Sequence, residues 1–226
     1  MARERSRPLG GVDASKERTH PLTDLAEGLR FAWKRPELMG TYLIDIVAMA
    51  FAFPVALFPA MAAADGRTEA VRWLLSAMAV WALLIGLFSG WTGKVTRHGR
   101  AVVIAAAVWA LGIVAPGFAP GLIPALACLA VAGAADMVSG VFRGTIWNQT
   151  IPNPLRGRLA GIEMISYLSG PLIGNTRAGF MADAWGVSAS IWIGGAICLA
   201  GIIATGFALP RFWVYRSTPM QASAAT

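Results

Sequence analysis

The chain has 226 residues, of which 56% are hydrophobic and only 14% charged, against about 25% charged in an ordinary soluble domain. Several near-apolar runs exceed the roughly 18 residues that mark a transmembrane helix, which excludes a soluble globular fold and predicts an all-α membrane protein. The net charge of +7 does not indicate a nucleic-acid partner, because the basic residues lie between the apolar runs, as the positive-inside rule requires.

The first 35 residues are polar and basic and lack the apolar run and cleavage site of a signal peptide. Residues 1–21, with Arg3, Arg5, Arg7, Lys16 and Arg18, read as a cytoplasmic arm or linker. Over 22–36 the pattern changes. Leu22, Leu25, Ala26, Leu29 and Trp33 recur at helical spacing, Asp24 and Glu27 stand as a capping-box pair, and Arg30, Lys34 and Arg35 crowd the end. This predicts an amphipathic helix on the inner membrane face, broken by Pro36.

Six spans follow within a half-domain over 37–212. Span one, Leu38–Met61, carries Asp45 as its single charge on a small, polar face shared by Thr41, Ala48, Ala52 and Ala56, and Pro54 and Pro59 are expected to kink its outer half. Span two, Val71–Ser89, ends in the row Ala82, Gly86 and Gly90, whose spacing of four admits a closely packed helix. Span three, Ala101–Phe118, is featureless and suits a lipid-facing position. A tight turn leads to span four, Gly121–Arg143, where Gly133, Asp136, Gly140 and Arg143 share a face. Asp136 and Arg143 are two turns apart, about 10 Å by helix rise, so each needs a partner elsewhere. Span five, Leu159–Met181, has the stripe Glu163, Ser166, Gly170, Gly174 and Arg177, and span six is Val187–Leu209. The tail, 213–226, is read as cytoplasmic.

Sixteen of the nineteen Lys and Arg residues fall on residues 1–36, the 90–100 loop, the 143–158 segment and residues 211–226, which places both termini in the cytoplasm of a cell-membrane protein. Charges at bilayer depth cost roughly 2.5–3.5 kcal/mol each and normally mark a cavity or a proton or substrate path. Asp45, Asp136 and Arg143 are accordingly either proton-coupling or substrate groups, or a structural charge network that closes the cytoplasmic gate. Glu163 is expected to form gate ion pairs with Arg156 or Arg158. Arg177 either meets an anionic substrate or snorkels outward. Tyr42 is a candidate for stacking on an aromatic substrate, and Trp91 and Trp147 read as interfacial anchors.

Cys128 and Cys198 lie inside apolar spans and His20 and His98 stand apart from any ligand cluster, so neither a metal nor a cofactor is expected. The chain also lacks a phosphate-cradling Walker loop and the motifs of intramembrane serine or metalloproteases, which excludes those enzymes.

The loop Arg97-His98-Gly99-Arg100, the run from Arg143 to Leu155-Arg156-Gly157-Arg158 and the lead-in over 22–40 resemble the C-terminal half of a major facilitator superfamily transporter. Pro54-Val55-Ala56-Leu57-Phe58-Pro59 and Ser89-Gly90-Trp91-Thr92-Gly93 resemble the drug–proton antiporter branch that includes enterobactin (siderophore) exporters. The resemblance covers roughly residues 22–212. It implies an inverted three-plus-three repeat, with spans one and four lining a central cavity, two and five facing a second half, and three and six facing lipid. Arg97, Gly99 and Arg100 match the end of the family's loop motif Gly-x-x-x-Asp-Arg-x-Gly-Arg, whereas Thr96 replaces its acid.

The resemblance further implies proton-coupled efflux of a siderophore or lipophilic drug-like molecule by alternating access, with membrane lipid, protons and a small-molecule substrate as partners. A complete family member has two six-helix halves. The second half would come from a longer form of the same gene, from a separate chain or from a homodimer. The alternative function is a non-transporting scaffold or an inactive half-transporter.

Overall fold

The computed structural model describes residues 21–53, 55–64 and 66–217. The arm up to residue 20, the end of the tail from 218, Pro54 and the side chain of Asp24 lie outside the described residues. The described part is helical, with no strand: α1 (Pro21–Trp33), α2 (Pro36–Phe51), α3 (Phe58–Ala64), α4 (Ala70–Leu87), α5 (His98–Val114), α6 (Leu122–Thr150), α7 (Arg156–Trp185), α8 (Val187–Ala208) and the single turn α9 (Pro210–Trp213). Five stretches are long and apolar enough to cross a membrane: Pro36–Ala64, Ala70–Leu87, His98–Phe118, Leu122–Thr150 and Val187–Ala208. Helix α7 has 30 residues, but its charges lower its apolarity.

Several boundaries differ from the sequence expectation. Helix α1 begins at Pro21, three residues ahead of Asp24. Span one is not a kinked helix. It stops at Phe51, passes through Ala52 and Phe53, and resumes as a 3₁₀ turn (Val55–Leu57) and then α3. Phe53 precedes a proline, which disfavours helical backbone there. Pro59 lies in the first turn of α3, where its missing N–H is harmless, and so introduces no kink. Span four runs seven residues past its expected end, to Thr150.

Span three is more deeply packed than its plain sequence suggests, although one apolar stripe stays exposed. Helix α5 packs between α6 and α8, and Val102, Ala106, Trp109, Ala110 and Ile113 lie in the core. Only the stripe Ile104, Val108 and Leu111 is exposed. The helix looked featureless because alanine and valine carry no pattern, yet small side chains let two neighbours approach it at once. By contrast, α4 and α7 expose long apolar rows, among them Trp81, Leu83 and Leu87 on α4 and Leu168, Leu172 and Phe180 on α7.

Glycines set the closest approaches. A Cβ on Gly133 of α6 would collide with the carbonyl of Met78 on α4, and Gly86 of α4 receives the Met137 side chain in return. Gly170 and Gly174 of α7 seat Met49 and Phe53 of the α2 segment. These glycines therefore pack helices within the bundle. Gly90 is different: it falls in the 3₁₀ segment Ser89–Lys94, with nothing within 4 Å of a Cβ, so the expected helical row ends at Gly86.

A pair of alanine substitutions separates packing from helix propensity. Gly133→Ala should lower the midpoint of thermal unfolding in detergent, because the backbone of α4 blocks the new methyl. Gly144→Ala, with open space around it, should leave the midpoint unchanged or raise it, since alanine favours a helix over glycine by about 1 kcal/mol.

Candidate functional site

Thr41, Asp45 and Ala48 recur every three or four residues along α2 and, with Ala52 just past its end, form one buried stripe. Two other helices meet this stripe. Arg143 on α6 forms an ion pair and hydrogen bond with Asp45 Oδ1. From α7, Ser166 Oγ donates to Asp45 Oδ2 at 3.5 Å. One carboxylate thus joins α2, α6 and α7. The two charged side chains are 7% (Asp45) and 13% (Arg143) exposed, so their attraction is little screened.

Asp136 lies two turns before Arg143 on α6. With Asp45, Ser139 and Arg143 it lines a small cavity of about 10 Å³, room for about one water molecule. Asp136 makes no hydrogen bond or ion pair among the described residues, but it feels the charges of Arg143 and Asp45. Glu163 on α7 feels the same two charges. The expected gate pairs of Glu163 do not form. Arg156 instead donates to the Asn148 carbonyl at 3.1 Å, and Arg158 pairs with Glu27 of α1 at 2.5 Å. Three acids therefore share the neighbourhood of one guanidinium, whose Nε is buried with no acceptor.

Tyr42 is not open for stacking on a ligand. Its ring stacks on Trp147 with centroids 5.5 Å apart, and Trp147 Nε1 donates to Thr41 Oγ1 at 2.8 Å. Trp147 is thus a packing residue between α6 and α2, not an interfacial anchor. Trp91 meets Phe142 edge-on at 6.1 Å.

Arg177 does not snorkel outward. Its Nε donates to the Ala50 carbonyl at 3.3 Å, and its guanidinium lies against Gly194 of α8. Helix α2 ends at Phe51, so its last carbonyls lack helical donors, and a cation there also meets the negative end of the helix dipole. Two residues earlier on α7, Asn175 Oδ1 accepts from Ala56 N at 3.0 Å and satisfies the far side of the break. Sequence reasoning missed Asn175, which no pattern singled out. Ser166 stood in the α7 stripe, but nothing marked it as a partner of Asp45.

The loop motif clasps the end of the chain. The Thr96 carbonyl accepts from Ser217 N at 3.0 Å, Gly99 N donates to the Tyr215 carbonyl at 3.4 Å, and a Cβ on Gly99 would strike the Phe212 carbonyl. Arg100 sits over the Trp213 ring, 5.3 Å from its centroid, while Arg97 is exposed.

Long apolar helices enclosing a charge cluster are those of a multi-pass membrane protein. The chain is 30% identical over 208 residues to the multidrug efflux pump Tap of Mycolicibacterium fortuitum, which covers 89% of the chain and 50% of the pump. It is 28% identical over 214 residues to the enterobactin exporter EntS of Escherichia coli, covering 92% of the chain and 50% of the exporter. Both relatives are major facilitator superfamily transporters rather than enzymes, and the chain is their homologue over about 90% of its length. It spans about half the length of the curated relatives it matches. No family model and no solved structure matches it.

The buried pair makes a sharp prediction. Asp45→Asn or Arg143→Gln alone should destabilise the bundle by about 3 kcal/mol, because each leaves one buried charge without its partner. The double variant should recover most of that loss in thermal unfolding. Strictly additive losses would show that the two side chains are not coupled.

Proposed function

We propose that the chain is the C-terminal six-helix half of a major facilitator exporter and works with a second six-helix half. The observation that carries this reading is the match to two exporters over nearly the whole chain and half of each relative. The C-terminal assignment rests on the loop Arg97–Arg100 and the 143–158 run. Helix α7 would be the sixth span. Its 30 residues extend about 45 Å at the rise of an α-helix, enough for a hydrocarbon core of about 30 Å. Its charges support that placement, because Arg177 is engaged on α2 and Glu163 lies near Arg143. The termini lie in the cytoplasm, α1 rests at the inner surface, and the protein sits in the cell membrane.

The mechanism is alternating access, in which the two halves rock about a site near the bilayer middle. An inward proton gradient drives outward movement of a lipophilic drug-like molecule or a siderophore, a reading supported by likeness to a multidrug efflux pump and an enterobactin exporter. Asp136 is the better proton carrier. Asp45 is already neutralised by Arg143, whereas Asp136 has no bond to break before it takes a proton. Protonation of Asp136 then removes one negative charge near Arg143 and alters the field on the Asp45–Arg143 pair. This couples a charge change to the contact that joins α2, α6 and α7. The exposed rows of α4 and α7 form the surface for the second half.

Inside-out vesicles from cells expressing the complete transporter should take up a lipophilic dye when their lumen is acidified. Asp136→Asn should reduce that uptake to background, while facilitated exchange of dye across the protein persists. If proton-driven uptake survived both Asp136→Asn and Asp45→Asn, the proton assignment would fail. If dye movement were the same with and without the chain, the scaffold reading would replace transport.

A further inference from the structure

We propose that the end of the bundle where α5, α8 and α9 meet binds an anionic phospholipid of the inner leaflet, with its phosphate at Arg100 and one acyl chain in the groove beside it. Only the leaflet depends on the orientation given above. An apolar groove of about 450 Å³ is lined there by Val103, Ile203, Gly206, Phe207, Pro210 and Trp213. Arg100 and Val103 are three residues apart on α5 and so share a face, which puts Arg100 at the mouth of the groove. Its guanidinium lies on Trp213, a wall of that groove, and its Nε is buried with no acceptor. Among the described residues Arg100 has no hydrogen bond and no ion pair. Arg100 is half-exposed, so the remaining N–H groups of its fork are open to an anion, and a phosphate is the anion that fork fits best.

The charges around the groove favour the same occupant. Arg97, Arg211 and Arg216 are exposed at this end, and the pairing of Thr96 with Ser217 and of Gly99 with Tyr215 brings Arg97 and Arg216 onto neighbouring strands of chain. Helices α5, α8 and α9 contain no Asp or Glu, nor does α6 after Asp136. Glu37, on the adjacent α2, is paired with Arg35 at 3.7 Å. A basic rim over an apolar groove between spans matches a headgroup and tail together, which neither free phosphate nor a neutral lipid can do. Gly206 keeps the groove open. A Cβ there would stand 3.6 Å from Val103 and 3.8 Å from Trp213, so a methyl fits without strain but a larger side chain would occupy the groove.

Native mass spectrometry of the detergent-purified chain, titrated in turn with phosphatidylglycerol, phosphatidylethanolamine and inorganic phosphate, tests the proposal. The chain should retain phosphatidylglycerol in preference to phosphatidylethanolamine. Arg100→Gln should weaken that retention about fivefold to tenfold, and Gly206→Leu should abolish it with no loss of thermal stability. Should Arg100→Gln fail to fold, Gly206→Leu decides by itself. Equal retention of both lipids, retention indifferent to Gly206→Leu, competition by inorganic phosphate at the same affinity, or a lipid-free dimer of chains would each overturn the proposal. The readout needs no transport, so its failure would leave the export reading untouched, and failure of export would leave the lipid site standing.

Discussion

The arrangement of α2, α6 and α7 depends on one buried ion pair, Asp45 with Arg143, and on the serine that joins it from α7. In hydrocarbon each of these charges alone would cost several kcal/mol, and together they hold three helices in a definite register. The pair also explains why two further acids, Asp136 and Glu163, are tolerated nearby. The guanidinium supplies positive potential to all three carboxylates while bonding only one. A change of charge on any one of these acids therefore alters the field on the Asp45–Arg143 pair.

The rest of the bundle makes this contact possible. Apolar association is weak in lipid, so helices must approach closely to gain dispersion and satisfy polar groups. Gly133 brings α4 onto α6, and Gly170 and Gly174 bring α7 onto α2. The interruption of α2 after Phe51 would leave carbonyls without donors at membrane depth. Arg177 and Asn175, one turn of α7, supply the missing partners on both sides of the break. Residues that looked like substrate groups or packing glycines thus combine to hold a broken helix in place.

Burial is distributed unevenly. Helix α5, the plainest in sequence, is held between two neighbours, while α4 and α7 carry the widest exposed apolar rows. The basic end of α5 closes against α9 and the segment that follows it, so the family-like loop acts here as a clasp on the chain's own C-terminal region.

The sequence by itself determined the class of the protein. Apolar runs of membrane length, their separation by basic loops and the charges inside them follow from local composition, and they place the helices to within a few residues, apart from the broken first span and the longer fourth. It also marked Asp45, Asp136, Arg143 and Glu163 as unusual, because an ionisable group in a membrane helix stands out against any apolar background. Tertiary structure alone decided the pairing. Asp45 and Arg143 are 98 positions apart, and nothing in either helix distinguishes Arg143 from Arg156 or Arg158 as a partner for a buried acid. The roles of Arg177, Trp147 and α5 were hidden for the same reason. Whether an arginine reaches water or a carbonyl, and whether an alanine-rich face meets lipid or another helix, is set by which helix lies beside it. Periodicity records only which face is apolar, and inside a membrane both lipid and protein neighbours are apolar.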